Sequence, residues 1–125
     1  MTAAASNRCE YCRLPAFAHY RTLHVDHVRP KQHGGRDEFG NLALSCPRCN
    51  AIKGPNFNSF DPVTDAVTPL LHPRTDAWQA HFAAVGPEII GTTDVGRTTA
   101  ELLKLNDAEP LELRRFIGAD WPGLT

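Results

Sequence analysis

Apolar and polar residues alternate from Tyr20 to Asp26, with Leu23 and Val25 on one face and Thr22, His24 and Asp26 on the other, a pattern that predicts a strand. Pro30 stops it, and Lys31–Gly40, with glycines at 34, 35 and 40, turns the chain into a short return strand at Asn41–Leu44. Cys46–Lys53 then reads as a short helix, with Pro47 in its first turn and Gly54-Pro55 ending it. The predicted order is strand, loop, strand, helix. Neighbours Asp26 and His27 would point to opposite faces of an extended chain, so the strand is expected to bend or end there.

Gly54–Pro62 is dense in turn formers and predicts a connector over 55–62. Beyond it the apolar spacing lengthens. Ala77, Trp78, His81, Phe82 and Val85 fall on one side of a helix predicted over Asp76–Val85. Glu88–Thr92 reads as a strand, and two more helices are expected at Val95–Leu105 and Leu111–Ile117. Trp78, Phe82, Ile89, Leu102, Leu105, Leu113 and Phe116 would form the core of this region, with His81 as a hydrogen-bonded core histidine. The expected organisation is a flexible lead (1–7), a compact module (8–54), a connector (55–62) and a mainly helical extension (63–125) packed on the module, an α+β fold.

A chain of 125 residues, 42% hydrophobic and 22% charged, fits one ordinary globular unit and excludes a disordered class. No apolar run approaches the roughly 18 residues that span a bilayer, which argues against a membrane partner. The first seven residues lack the charged and apolar regions of a secretory signal, so a cytoplasmic location is the default expectation. Net charge is only −1, but it divides unevenly: residues 1–55 hold eight Lys/Arg against four acids, and the remainder five against ten. The module is thus the half that attracts phosphate.

Cys9-Glu10-Tyr11-Cys12 and Cys46-Pro47-Arg48-Cys49 are two C-x-x-C knuckles 33 residues apart. Four thiolates suit one tetrahedral zinc, and in a reducing compartment this reading is preferred to two disulfides or a redox dithiol. A module with few large apolar residues needs such a clamp, so Cys9, Cys12, Cys46 and Cys49 are assigned to a structural zinc with no chemistry on substrate.

Between and beside the knuckles lie Asp26-His27, Asn41 and Asn50. A neutral imidazole is suited to deprotonating water, and carboxylate and amide oxygens are suited to a hard divalent cation. Together, His24-Val25-Asp26-His27-Val28-Arg29-Pro30, Gly34-Gly35, Asn41-Leu42, Cys46-Pro47-Arg48-Cys49-Asn50 and Lys53-Gly54 resemble the HNH endonucleases, whose core is the ββα-metal fold. The resemblance implies His27 as general base, Asp26 as ligand of a catalytic divalent metal, Asn41 as the residue positioning loop and base, and Asn50 as the final motif residue. An Asn at that last position can ligate magnesium or manganese and is less suited to nickel or zinc. The implied activity is hydrolysis of phosphodiester bonds in nucleic acid, DNA being favoured. The alternative is a non-catalytic zinc-containing module for nucleic-acid binding or assembly.

His24, Arg29, Lys31, His33, Arg48 and Lys53 are candidate phosphate contacts, each equally open to being a solvated side chain. Leu71–Phe82, Ile90-Gly91-Thr92-Thr93, Gly96-Arg97-Thr98-Thr99 and Leu105-Asn106 are similar to the tail of compact stand-alone HNH proteins. Arg97, Arg114 and Arg115 in that tail are candidate backbone contacts, although its acidic balance argues against a broad nucleic-acid surface.

Overall fold

A computed structural model describes residues 7–18, 23–118 and 121–122. The expected lead falls outside them except for Asn7, as do Tyr20–Thr22 of the expected first strand. The described strand β1 is His24–His27, and it pairs antiparallel with β2, Leu42–Ser45, from His24 opposite Ser45 to His27 opposite Leu42. β1 ends at His27, where the sequence asked for a bend or a stop. Helix α1, Pro47–Lys53, follows directly: Cys46 is its N-cap, the Cys46 Sγ accepting from the Cys49 N–H at 3.3 Å, and Gly54 closes it at φ 52°. The expected strand, loop, strand, helix order is present.

Two hairpins follow. β3 (Asn58–Phe60) pairs with β4 (Val67–Pro69), and the buried Asp61 organises the turn by accepting from Val63 N–H and the Thr64 hydroxyl. The helix expected over Asp76–Val85 is a single turn, α2 (Trp78–His81), and Phe82–Val85 is strand β5, paired with β6 (Glu88–Gly91). The reason is local. Gly86, at φ 58°, and Pro87 form a two-residue turn between Val85 and Glu88, and the flanking residues include β-branched Val85, Ile89 and Ile90. Apolar residues at helical spacing were equally residues of a hairpin.

Helix α3 (Asp94–Leu102) starts at a Thr93 cap, and α4 covers Ala108–Ile117, three residues earlier than expected. α3 lies so close to α2 that a Cβ at Gly96 would stand 1.9 Å from the His81 carbonyl oxygen. His81 is satisfied as expected, with Nδ1 2.7 Å from the Thr93 hydroxyl. The tail core differs at two positions, the first being Leu102, which is half-buried while its neighbour Leu103 takes the core place. Phe116 is 86% exposed, and α4 instead buries Pro110 and Arg114. Among the described residues, three separate two-stranded sheets therefore alternate with four α-helices, an α+β fold.

One buried cluster joins the cysteines, Tyr11, Leu14 and Ala43 to Trp78, Phe82, Ile89, Leu103 and Trp121. Polar ties cross the same seam. Glu10 accepts from Leu44 N–H at 2.7 Å and pairs with both terminal nitrogens of Arg74. The Trp78 indole donates to the Tyr11 carbonyl at 2.8 Å.

Candidate active site

The cysteines come together at one end of the β1–β2–α1 unit. All four are free thiols, 2% exposed or less, with their Sγ atoms within 4.8 Å of one another. A tetrahedral zinc with bonds of about 2.3 Å requires S···S separations of about 3.8 Å, so the set contracts only slightly to hold the ion. Hydrogen bonds from the Cys12, Cys49 and Cys9 thiols, joined by the Cys49 N–H, hold the Cys46 thiol far below its usual range, and the same contacts push Cys12 and Cys49 well above theirs, so without a cation the four share their charge unevenly. Arg114 gives a second sign of charge here. Its guanidinium is fully buried over the Trp121 ring, donates to the Pro87 carbonyl at 3.0 Å, and leaves Nε and Nη2 without partners among the described residues. Burial pulls its pKa down while the charges of Cys12 and Cys49 push it up. A four-thiolate zinc site, net −2, accounts for a cation buried there.

The other face of the unit carries a cleft of about 350 Å³, lined by Val25, Asp26, His27, Pro30, Lys31, Gln32, Asn50 and Gly54. Asp26, His27 and Asn50 are thus on one cleft, as the sequence expectation requires. α1 makes this possible, since Cys49 is turned into the cysteine cluster and Asn50, one residue on, is half-buried at the cleft.

Asp26 is 8% exposed, and its Oδ2 accepts from the Tyr11 hydroxyl at 3.0 Å and faces Lys53 Nζ at 3.3 Å. Burial first, then the Asp26 charge, raises the Tyr11 pKa well above its usual value and keeps it a donor. Asp26 Oδ1 and the Asn50 carboxamide have no hydrogen bond to any described residue, so one oxygen from each is uncommitted. A hard cation fits that donor set, with water and phosphate oxygens completing its shell. Among the described residues, the four cysteines are the one group that brings three or more His, Cys, Asp or Glu ligand atoms together.

His27 is held by a residue that sequence reasoning passed over. Its Nε2 lies 2.5 Å from Asp37 Oδ1, and Asp37 Oδ2 lies 2.9 Å from Lys31 Nζ. These two partners, His27 first, hold the Asp37 carboxyl below its usual range. No local pattern marks Asp37 in the sequence. Its partners are six and ten residues away across a loop, and its only signal is an acid among Lys31, Arg29 and Arg36.

Asn41 anchors that loop. Its Oδ1 accepts from Arg29 N–H at 2.8 Å, and its Nδ2 donates to the carbonyls of Arg29 and Arg36, both at 3.0 Å. Gly35 is pressed into the same turn, where a Cβ would stand 1.6 Å from the Arg29 carbonyl oxygen.

The candidate phosphate contacts divide. His24, Arg29, Lys31 and His33 are exposed. Arg29 also donates from Nε to the His33 carbonyl at 2.6 Å and lies 5.9 Å from the Phe57 ring centroid. Two others are corrected. Lys53 is fully buried between Asp26 and the His27 carbonyl, where it neutralises Asp26, and phosphate cannot reach it. Arg48 donates to the Leu103 and Lys104 carbonyls at 2.9 and 2.8 Å and pairs with Asp107, fastening α1 to the extension. In the tail, Arg97 is bound by Asp61, Arg114 is buried and Arg115 pairs with Glu112.

Residues 9–56 match the HNH endonuclease family. Over 120 residues it is 26% identical to the Septu protein PtuB of Bacillus thuringiensis, an alignment that takes in 90% of this chain and 42% of that protein. The chain therefore spans less than half the length of this relative. No solved structure matches it. HNH domains are in general endonucleases that act on nucleic acids, and no helix among the described residues is long and apolar enough to cross a membrane.

Proposed function

We propose that the chain is a metal-dependent endonuclease that hydrolyses phosphodiester bonds in nucleic acid, with DNA the favoured substrate. The observation that carries this reading is the convergence of Asp26, His27 and Asn50 on one cleft of a cysteine-clamped β1–β2–α1 unit. Asp26 and Asn50 would hold magnesium or manganese, which when bound neutralises charge on the phosphoryl and leaving oxygens. His27 takes a proton from water: the O–H bond breaks, the proton goes to the ring nitrogen, and the hydroxide lone pair attacks phosphorus as the P–O ester bond breaks, its electron pair leaving on the ester oxygen, which takes a proton from solvent. Asn41 acts at a distance, fixing the 29–36 turn that frames the imidazole.

Lys31, which lines the cleft, and the exposed His24, Arg29 and His33 are the phosphate contacts of this reading. They read the backbone and not base identity, since no element beside the cleft presents a recognition helix. The Cys9, Cys12, Cys46 and Cys49 zinc does no chemistry and keeps α1 in place.

Supercoiled plasmid incubated with the native chain and with His27→Ala, in magnesium and in manganese, tests the reading. Nicking by the native chain, reduced at least about 10²-fold in the variant, is expected for a positioned general base. Equal cutting by both removes His27 from the reaction. Binding without cutting in every metal favours a non-catalytic module.

A further inference from the structure

The structure places an unassigned carboxylate against the imidazole that the nuclease reading uses as its base. We propose that Asp37 is the positioning residue for His27, fixing the ring orientation and placing the ring proton on Nε2 so that Nδ1 is the nitrogen that receives the proton from water. The proposal rests on the nuclease reading for its consequence, and on the geometry for its existence.

Three observations converge. The first is the contact itself: Nε2 and Asp37 Oδ1 are 2.5 Å apart, and a neutral imidazole facing an ionised carboxylate at that distance must donate. The nitrogen left bare is Nδ1, which has no hydrogen bond to any described residue. The second is that Asp37 is itself aimed. Lys31 Nζ holds its other oxygen at 2.9 Å, so the carboxylate is gripped at both ends although its side chain is 65% exposed.

The third is the backbone behind it. Asn41 Nδ2 binds the carbonyl of Arg36, the residue immediately before Asp37, and Gly35 packs where a Cβ would overlap the Arg29 carbonyl. A continuous path thus runs from the Asn41 carboxamide through the Arg36 carbonyl to Asp37 and on to His27. This path is how an asparagine whose side chain bonds to Arg29 and Arg36, and not to His27, can set the imidazole's orientation. A carboxylate behind an imidazole fixes its tautomer and stabilises the imidazolium formed when the other nitrogen takes a proton.

Asp37→Ala and Asp37→Glu test this beside the native chain and His27→Ala. In steady-state cleavage of a DNA duplex with manganese, Asp37→Ala is expected to lower kcat by about 10- to 100-fold, less than loss of the base itself. KM should change less than kcat does, the change there coming from Lys31, a phosphate contact that Asp37 also holds. Asp37→Glu, which keeps the carboxylate, should recover most of the loss. An unchanged kcat in Asp37→Ala overturns the inference and leaves the nuclease reading intact. A rise in kcat, or a change confined to KM, identifies Asp37 as a competitor for the phosphate position and likewise overturns it.

A second readout needs no activity. Nitrogen-15 spectra of His27 in the zinc-loaded protein without added manganese should show the proton on Nε2 in the native chain and a mixture of tautomers in Asp37→Ala. A native chain protonated on Nδ1 overturns the pairing whatever the kinetics. A native chain that cleaves nothing refutes the nuclease reading, and the tautomer then decides the pairing alone.

Discussion

The two ends of α1 carry opposite designs within a few residues. At the cysteine end every ligand is sealed, 2% exposed or less, and bonds to backbone and buried charge fix the surroundings. At the cleft end the imidazole is 29% exposed, its carboxylate partner 65% exposed, and the supporting turn rests on the Asn41 carboxamide and on local backbone hydrogen bonds between residues 30 and 35. A resident ion requires burial, since exchange would unfold the module. A substrate site requires access, and access leaves few contacts with which to hold side chains still. Asp26 lies between the regimes: it faces the cleft, yet it is buried against Tyr11 and Lys53.

The largest break in this comparison comes at the cysteine end. Cys46→Ser, or a strong chelator on the native chain, should unfold the β1–β2–α1 unit, because a structural zinc contributes on the order of 10 kcal/mol to folding. Far-ultraviolet circular dichroism and zinc content should fall together. Zinc-free protein that keeps its full spectrum would show that the cysteines pack without needing the ion.

The seam to the extension comes next. Arg74 and Glu10 form a pair whose side chains are 8% and 6% exposed, and Glu10 also binds the β2 backbone. Arg74→Met strands a buried carboxylate and should cost about 3–5 kcal/mol by urea denaturation. A cost below about 1 kcal/mol would mean that Glu10 is rehydrated when its partner leaves.

What the sequence disclosed follows the range of the interactions involved. The zinc set and the strand–loop–strand–helix order were legible because each rests on short spacings: two residues between paired cysteines, a proline and a glycine bracketing α1, and a turn-rich loop. Asp26, His27 and Asn50 were legible as a pattern, and their shared cleft follows from β1 ending at His27. Asp37, Tyr11 and the Glu10–Arg74 pair were not legible. Each acts on a partner 10, 15 or 64 residues away, and nothing in the flanking residues announces it. Lys53 and Arg48 show the same limit in reverse. Their charge suggested phosphate, but burial and long-range carbonyls had already engaged them. β5 was lost because Phe82 and Val85 satisfy a helical period and a strand equally well, and the Gly86-Pro87 turn decides between them.

The smallest expected effect sharpens the comparison most cheaply, because the two readings of α4 differ so widely in magnitude. Helical periodicity places Phe116 in the tail core, where truncation would cost about 3–5 kcal/mol. The structure leaves it 86% exposed and turns Arg114 inward, toward Trp121 and the cysteine cluster. Phe116→Ser should therefore change stability by no more than about 0.5 kcal/mol, as other surface substitutions do. A loss of several kcal/mol in urea denaturation would mean that α4 is rotated and that Phe116, not Arg114, faces the core. The buried guanidinium would then no longer balance the thiolates, and the electrostatic support inferred for zinc would be lost with it. A null result at Phe116 thus carries information about the metal end of the molecule, although the residue touches neither site.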